Sequence, residues 1–314
     1  MKFTFPLVVF LRNKLNIFIC GIFMGIADLI PGISGGTIAF IAGIYPRLLQ
    51  SISFFSSYST WKNLFNINFF QFFKKIDGWF LITLFSGILL SIILFSKLAH
   101  YLLNEHFELL FGFFFGLVLG SIIVFLIDIK NLNFTTKTIF HKFMFLGFGV
   151  VFGFFILEII PLVTDIKLSL VFLAGFFAVA AMLLPGISGG YILLIMGLYS
   201  HIIEAIIKFD FTVISVFVAG CVLGLLVFSK LFHYLINRFE YNMLFLLNGI
   251  MIGTLSKLWP WKTKQIEDDV LIDLNIMPVD LSFWSDSFWV LILMIIGVIF
   301  ATILNIVKKK VNLF

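Results

Sequence analysis

The sequence is poor in charged residues and contains very little cysteine. Charged side chains make up 12% of the 314 residues, whereas soluble domains contain about 25%. The two cysteines, Cys20 and Cys221, each lie inside an apolar stretch, which excludes a disulfide-stabilised fold. A Gly-x-x-x-x-Gly-Lys-Ser/Thr phosphate loop is also missing, which excludes an ATP-driven pump built on that motif within this chain.

Hydrophobic residues, in contrast, are abundant. They make up 61% of the chain, 44 of them are phenylalanine, and the mean hydropathy is +1.16. A soluble core of this size cannot bury so much apolar surface, so lipid must surround most of it. The formal net charge of +5 comes from scattered Lys and Arg, which is typical of membrane proteins and argues against nucleic acid as a partner. The composition therefore predicts a polytopic membrane protein.

The apolar residues fall into eight blocks. The blocks are 15–52, 79–103, 109–128, 143–160, 168–206, 212–236, 242–258 and 287–307. Six of them have the length of one membrane-spanning helix, about 20 residues. Blocks 15–52 and 168–206 are nearly twice as long, and each is interrupted by the string Pro-Gly-Ile-Ser-Gly-Gly. These two blocks are predicted to be broken helices.

The chain contains an internal repeat. Residues 21–52 align with 175–206 without gaps at an offset of 154, and 15 positions are identical. A second stretch, 84–102, aligns with 217–235. We interpret the whole chain, 1–314, as one transporter domain with repeat one at about 15–160 and repeat two at about 168–307. Paired interrupted segments in two halves indicate a transport site.

The positive charges predict how the repeats are oriented. If both long blocks are re-entrant hairpins, Lys and Arg divide 15 inside against 6 outside, and if both cross the membrane the division is 10 against 11. The positive-inside rule favours the first arrangement. The predicted fold is therefore an all-α polytopic membrane protein with two inverted repeats. Each repeat has a re-entrant hairpin broken at the motif and three transmembrane helices, and both termini are cytoplasmic.

The repeated motif has the features of an anion site. Pro31 and Pro185 are predicted to end the first limb of each hairpin, and Gly32 and Gly186 to allow a tight turn. A half-helix that begins after the turn leaves amide groups unpaired at its positive end. The residues predicted to bind a phosphate or carboxylate there are Ser34, Gly35, Gly36 and Thr37 in the first copy and Ser188, Gly189, Gly190 and Tyr191 in the second. The alternative is that small residues only let helices pack closely.

Two charged residues near the first motif have alternative roles. Asp28 is either a proton carrier, and so a possible coupling acid, or a hydrogen-bond partner of the turn, and its repeat equivalent is Met182. Arg47 either binds the phosphate through two hydrogen bonds or anchors the hairpin at the cytoplasmic face. The spacing of His, Cys and Asp predicts neither a metal site nor a cofactor.

The doubled motif also resembles a known family. Gly-Ile-Ala-Asp-Leu-Ile-Pro-Gly-Ile-Ser-Gly-Gly-Thr, with Leu-Pro-Gly-Ile-Ser-Gly-Gly and Gly-Leu-Tyr in the second half, is similar to the PopT-type polyprenyl-phosphate transporters. The resemblance implies a multi-pass protein of the bacterial plasma membrane that returns undecaprenyl phosphate from the outer to the cytoplasmic leaflet, for reuse in peptidoglycan and other cell-wall polymers. It implies a polyprenyl phosphate lipid as partner, with protons or another ion for coupling.

Two other functions are known for membrane proteins that handle phosphate or other anions. A membrane lipid phosphatase needs histidines in patterns such as Ser-Gly-His or Arg-x-x-x-x-x-His, which are missing here, so the chain is predicted not to be an enzyme. A small-anion channel or exchanger could use the same half-helix anion site, and the sequence leaves that alternative open. A lateral opening to the bilayer near the two turns would distinguish a lipid carrier from an ion pore.

Overall fold

The structure is a computed structural model, and it describes residues 6–30, 32–56, 69–130, 136–157, 167–267, 270–277 and 283–311. All statements on arrangement below concern these residues. Pro31, predicted to end the first limb of the first hairpin, lies outside them. Predominantly helical structure confirms the coarse prediction of an all-α polytopic membrane protein.

The helices of the first half are α1 (Pro6–Asp28), α2 (Gly35–Ile41), α3 (Tyr45–Ser53), α4 (Phe69–Lys75), α5 (Gly78–Glu105), α6 (Phe107–Lys130) and α7 (Thr136–Leu157). Those of the second half are α8 (Leu168–Leu183), α9 (Gly189–Ile195), α10 (Tyr199–Ile207), α11 (Phe211–Arg238), α12 (Glu240–Thr254) and α13 (Phe283–Val311). Short 3-10 helices cover Phe54–Ser56 and Leu255–Leu258.

Five described helices are long and apolar enough to cross a membrane, namely α5, α6, α7, α11 and α13. They correspond to five of the six single-span blocks. The sixth block, 242–258, forms the shorter helix α12, which continues as the 3-10 helix Leu255–Leu258. The helices α9 and α10 pass the same test together but are bent by 110° at their break, so they form either a broken span or a re-entrant loop.

A short β-hairpin departs from the purely helical prediction. Strand β1 (Lys262–Glu267) pairs with strand β2 (Val270–Asn275) in antiparallel register, with Lys262 opposite Asn275. The hairpin follows the 3-10 helix Leu255–Leu258 and is attached to it, because the Asn275 side-chain amide donates to the Ser256 carbonyl at 3.0 Å. The strand pairing is an exception to the all-α prediction that is limited to this segment.

Glycines bring equivalent pairs of helices together in the same way in the two halves of the chain. Helix α1 packs against α5 with Gly21 on the Leu84 carbonyl and Gly25 on Ile88. Helix α8 packs against α11 with Gly220 on Phe172 and Gly224 on Phe176. In both pairs the contacting residue numbers increase in the same direction along the two helices, so the helices of each pair are parallel. The first limb of each hairpin therefore runs alongside the first half of the long helix that follows it.

The remaining long helices pair between the repeats. Helix α6 packs along α13, with Gly116 against Met294, and α7 packs along α12, with Gly149 against Leu246. Since α12 is the repeat equivalent of α6, the second span of each half packs on the third span of the other. The two halves are thus interleaved around the hairpins.

The two hairpins have the same backbone at equivalent positions. Gly32 and Gly186 have φ of 87° and 90°, and Gly43 and Gly197 have φ of 78° and 66°. These values lie in the region that favours glycine, so each hairpin turns twice at a residue without a side chain. Helices α2 and α9 begin just after the first of these turns, with Ser34 and Ser188 as their N-cap residues.

Candidate functional site

The two Pro-Gly-Ile-Ser-Gly-Gly turns lie in direct contact. The Ser34 hydroxyl donates to the Met182 carbonyl at 2.9 Å, and the Gly186 amide donates to the Thr37 hydroxyl at 2.9 Å. Ser34 and Thr37 are buried, with 1% and 2% of their surface exposed. Because each bond joins the two hairpins, the hydroxyls of the first motif hold the second motif in place.

The first turn satisfies its own amide groups. The Gly35 amide donates to Asp28 Oδ1 at 2.7 Å, and the Gly36 amide donates to Ser34 Oγ at 3.1 Å. Asp28 at the end of α1 thus places a carboxylate at the start of α2, where an anion is stabilised by the amide groups. This contact fits one of the two roles that the sequence left open, the hydrogen-bond partner of the turn.

The second turn lacks this internal anion. Met182 stands where the first repeat has Asp28, and the Ser188 side chain makes no capping hydrogen bond. A cavity of about 470 Å³ lies in front of the start of α9 and is lined by Ser188, Gly189, Gly190 and Tyr191. We call it the polar cavity. The second turn therefore opens onto a space that a ligand can occupy.

Two lysines line the polar cavity together with the second turn. The Lys257 ammonium lies 5.1 Å from the centre of the Tyr191 ring, and the Lys257 side chain also approaches Gly32. Lys262 lines the same cavity, donates to the Lys257 carbonyl at 2.8 Å, and lies 5.3 Å from the centre of the Phe111 ring. The cavity thus brings two cations close to an N-cap serine and glycine backbone.

Neither lysine is among the site residues predicted from the sequence. The segment after α12 folds back toward the hairpins and brings Lys257 and Lys262 to the polar cavity. The Trp259 indole donates to the Ile276 carbonyl at 2.8 Å and thereby holds the segment at the base of the β-hairpin. The available signal was the pair of lysines that flank the string Leu-Trp-Pro-Trp.

The described site residues other than Arg47 divide into two groups. Those that line the polar cavity are Asp28, Gly32, Ser188, Gly189, Gly190 and Tyr191. Ser34, Gly35 and Thr37 are buried in the contact between the turns, Gly36 lies on the far side of that contact, and Pro185 is buried beside it. Arg47 is elsewhere, because its Nε bonds Asp77 Oδ2 at 2.6 Å and its guanidinium lies 4.4 Å from the centre of the Phe80 ring.

The arrangement is suited to an anion that is held and then released. Ammonium groups, a serine hydroxyl and backbone amides all stabilise phosphate oxygens, whereas no arginine among the described residues lines the polar cavity. Asp28 adds a negative charge at the same place, so proton binding by Asp28 would change the affinity of the cavity for an anion. No three His, Cys, Asp or Glu side chains of the described ranges are grouped as a metal site would require.

Comparisons with known proteins agree on one family. A family model described as undecaprenyl phosphate translocase-like matches residues 24–270. A polyprenyl-phosphate transporter of Vibrio cholerae is 37% identical over 309 residues, which cover 94% of this chain and 97% of the relative. A polyprenyl-phosphate transporter of Staphylococcus aureus is 32% identical over 261 residues, which cover 76% and 84%. No solved structure matches.

Proposed function

The chain belongs to the undecaprenyl phosphate translocase-like family, and from this we infer that it is a transporter of polyprenyl phosphate, with undecaprenyl phosphate as its substrate. The observation that carries this proposal is the polar cavity, where Lys257 and Lys262 face the open second turn. A lipid monophosphate offers an anionic head that needs such donors and an apolar tail that remains in the membrane. Names of the relatives point to transport, and we propose no catalytic step for this chain.

The phosphate is held at the second turn in the conformation described here. Ser188, the backbone of Gly189 and Gly190, and the Lys257 ammonium are the proposed donors, with Tyr191 beside them. The equivalent residues of the first turn, Ser34, Gly35, Gly36 and Thr37, serve the phosphate in the alternate conformation, in which the contact between the turns opens. Arg47 reaches the phosphate only after its bond to Asp77 breaks.

The direction of helix packing supports re-entrant hairpins and inverted repeats. If the first long block crossed the membrane, α1 and α5 would traverse it in opposite directions, yet they pack in parallel. The same argument applies to α8 and α11. The proposed topology therefore places both termini in the cytoplasm, and it places three spans between the two hairpins, which inverts the second repeat relative to the first.

This topology supports transport from the outer to the cytoplasmic leaflet. Phe107 at the start of α6 and Lys257 after α12 both line the polar cavity, and both lie at the ends that the topology assigns to the outside. The cavity is thus placed to accept a headgroup from the outer leaflet of a bacterial plasma membrane. Return of the carrier lipid in this direction would serve cell-wall synthesis. Protons, carried by Asp28, or another ion couple the movement.

The test is transport by the purified protein in liposomes that contain undecaprenyl phosphate. A membrane-impermeant phosphatase added outside the vesicles cleaves the headgroups exposed on that side, and the uncleaved fraction is the headgroup inside. A chloride-sensitive dye inside the vesicles reports anion flux. We expect lipid movement without chloride flux. We expect Lys257→Gln to lower headgroup affinity roughly 10- to 100-fold, since a hydrogen bond to a charged group contributes about 1.5–3 kcal/mol.

The matched control is Lys208→Gln, which removes an exposed lysine that pairs with Glu204 away from the cavity. This variant should transport like the wild type. Chloride flux without lipid movement would instead make the protein the small-anion channel or exchanger that the motif also allows.

A further inference from the structure

A second, apolar cavity lies on the other side of the contact between the hairpins. Its volume is about 670 Å³, and it lies between α3, the first half of α5, the end of α8 and the middle of α11. Leu48, Ile88, Leu225 and Leu226 are among its lining residues. We call it the apolar cavity. None of the phosphate donors proposed for the conformation described here lines it.

The polar and apolar cavities meet at one place. Asp28 and Met182 line both of them, and these two residues are equivalent in the internal repeat. The repeat also relates Gly36 and Tyr45 of the apolar cavity to Gly190 and Tyr199 of the polar cavity. The two cavities thus occupy equivalent positions in the two halves of the molecule, and the side chains of Asp28 and Met182 separate them.

Their linings differ in chemistry despite this relation. The polar cavity has two lysines, whereas Asp28 is the one charged side chain among the described residues that line the apolar cavity. A space that contains an acid and no cation repels a phosphate, and its hydrocarbon walls match a hydrocarbon ligand. In this conformation the two cavities are therefore suited to opposite ends of one amphipathic molecule.

The apolar cavity also has an exit toward the surroundings. Ile82 and Phe85 of α5 and Val222 of α11 line it and are about half exposed, so its rim lies on the outer surface between these two helices. A shallower groove continues from it, because Phe55 and Leu226 line both, and it extends along α11 to Lys230. An apolar chain can leave the cavity between α5 and α11 along mostly apolar side chains, and Lys230 lies in the far part of the groove.

We propose that the apolar cavity binds the first isoprene units of the lipid whose phosphate occupies the polar cavity. The chain passes between Asp28 and Met182 and leaves between α5 and α11 into the bilayer. This inference rests on the proposed function and deepens it, because it assigns the tail as well as the head. A prenyl tail in lipid is already in an apolar solvent, so its binding in the cavity is favoured by close packing and by the alignment of the phosphate. A side chain that fills the space should therefore weaken binding by steric exclusion.

The test is to fill the cavity from two different helices. Leu225→Trp and Ile88→Trp place an indole in the space, and Val218→Trp and Ile93→Trp are matched controls on the same helices. Val218 and Ile93 are 49% and 74% exposed and lie outside the lining. We expect the filling variants to lower the affinity for undecaprenyl phosphate by about tenfold or more. Their affinity for methyl phosphate, which has the head and no isoprene unit, should stay near that of the wild type.

The result that overturns the inference is a pair of folded filling variants that bind and transport undecaprenyl phosphate as the wild type does. A second measurement needs no substitution: an undecaprenyl phosphate analogue with a diazirine on an early isoprene unit should label Ile88 and Leu225. Labelling confined to outward-facing positions such as Ile93 and Val218 would also overturn the inference. A wild-type protein that binds methyl phosphate and moves no undecaprenyl phosphate would contradict the proposed function itself.

Discussion

At the scale of single residues, Asp28 distinguishes the two repeats most clearly. It caps the Gly35 amide, and it lines both cavities at their junction, where Met182 is its apolar counterpart. An ionised carboxylate at this point repels the phosphate that Lys257 attracts, and a protonated one does not. Uptake should therefore decrease as the pH rises and Asp28 loses its proton.

Asp28→Asn tests this dependence directly. The amide oxygen of Asn can still accept from Gly35, but the side chain no longer titrates, so uptake should become independent of pH while the headgroup still binds. Asp28→Ala also removes the cap, and it should lower the stability by about 0.5–2 kcal/mol. If uptake by the Asn variant still varies with pH as it does in the wild type, Asp28 has only its hydrogen-bonding role.

The two motif serines should respond differently to the same substitution. Ser188 lines the polar cavity without a capping bond, so Ser188→Ala should weaken headgroup binding roughly 10- to 100-fold and leave the unfolding temperature unchanged. Ser34 bonds the Met182 carbonyl and caps α2, so Ser34→Ala should lower the unfolding temperature. The measurement is methyl phosphate affinity beside thermal unfolding. Wild-type affinity in a folded Ser188→Ala variant would make the second turn a packing device.

At the scale of helices, glycine contacts hold the hairpins to the long helices. A Cβ on Gly21 would overlap the Leu84 carbonyl oxygen, which belongs to the backbone and cannot move aside. Gly21→Ala should therefore destabilise the protein by about 1–3 kcal/mol. Gly147 has nothing within 4 Å of a built Cβ, so Gly147→Ala is the matched control and should be neutral or stabilising. Thermal unfolding in detergent measures both, and equal unfolding temperatures would contradict the packing described for α1 and α5.

The sequence predicted the long helices because their apolar blocks have the length of a membrane span, as in α5 and α11. It also indicated the paired turns, because the repeat places the same glycines in both hairpins. It missed the strands Lys262–Glu267 and Val270–Asn275, because alternating polar residues next to a short turn carry little hydrophobic signal. Lys257 and Lys262 were missed for a related reason: their place at the cavity depends on how that hairpin folds back, which is a long-range contact.

The different environments of the two turns could not be derived from the repeat either. Equivalent sequences predict equivalent turns, so Ser34 and Ser188 were given the same role. The substitution of Met182 for Asp28 leaves the second turn without an internal carboxylate, and Lys257 comes from a segment beyond the aligned stretches. The difference therefore arises from one residue and one tertiary contact.

At the scale of the whole molecule, the repeats are interleaved. Helix α6 packs on α13 and α7 on α12, so each half supplies a partner helix to the other. Because the two turns also bond each other, through Ser34 and Gly186, a change at one turn must be transmitted to the other. Such a molecule can expose its turns alternately only if the halves move relative to each other around this contact, which is the behaviour expected of the inverted repeats that we propose.

The topology that this movement requires can be tested by accessibility. In a variant without Cys20 and Cys221, single cysteines at Lys75 and Lys167 report on the two possible arrangements, because both side chains are exposed. With re-entrant hairpins, Lys75→Cys is cytoplasmic and Lys167→Cys is external, whereas with crossing blocks the two sides are exchanged. Lys264→Cys is external in both arrangements and serves as the orientation reference.

We expect an impermeant maleimide added to intact cells to label Lys167→Cys and Lys264→Cys and to spare Lys75→Cys. Labelling of Lys75→Cys with protection of Lys167→Cys would show that both long blocks cross the membrane, and protection of Lys264→Cys would contradict both arrangements.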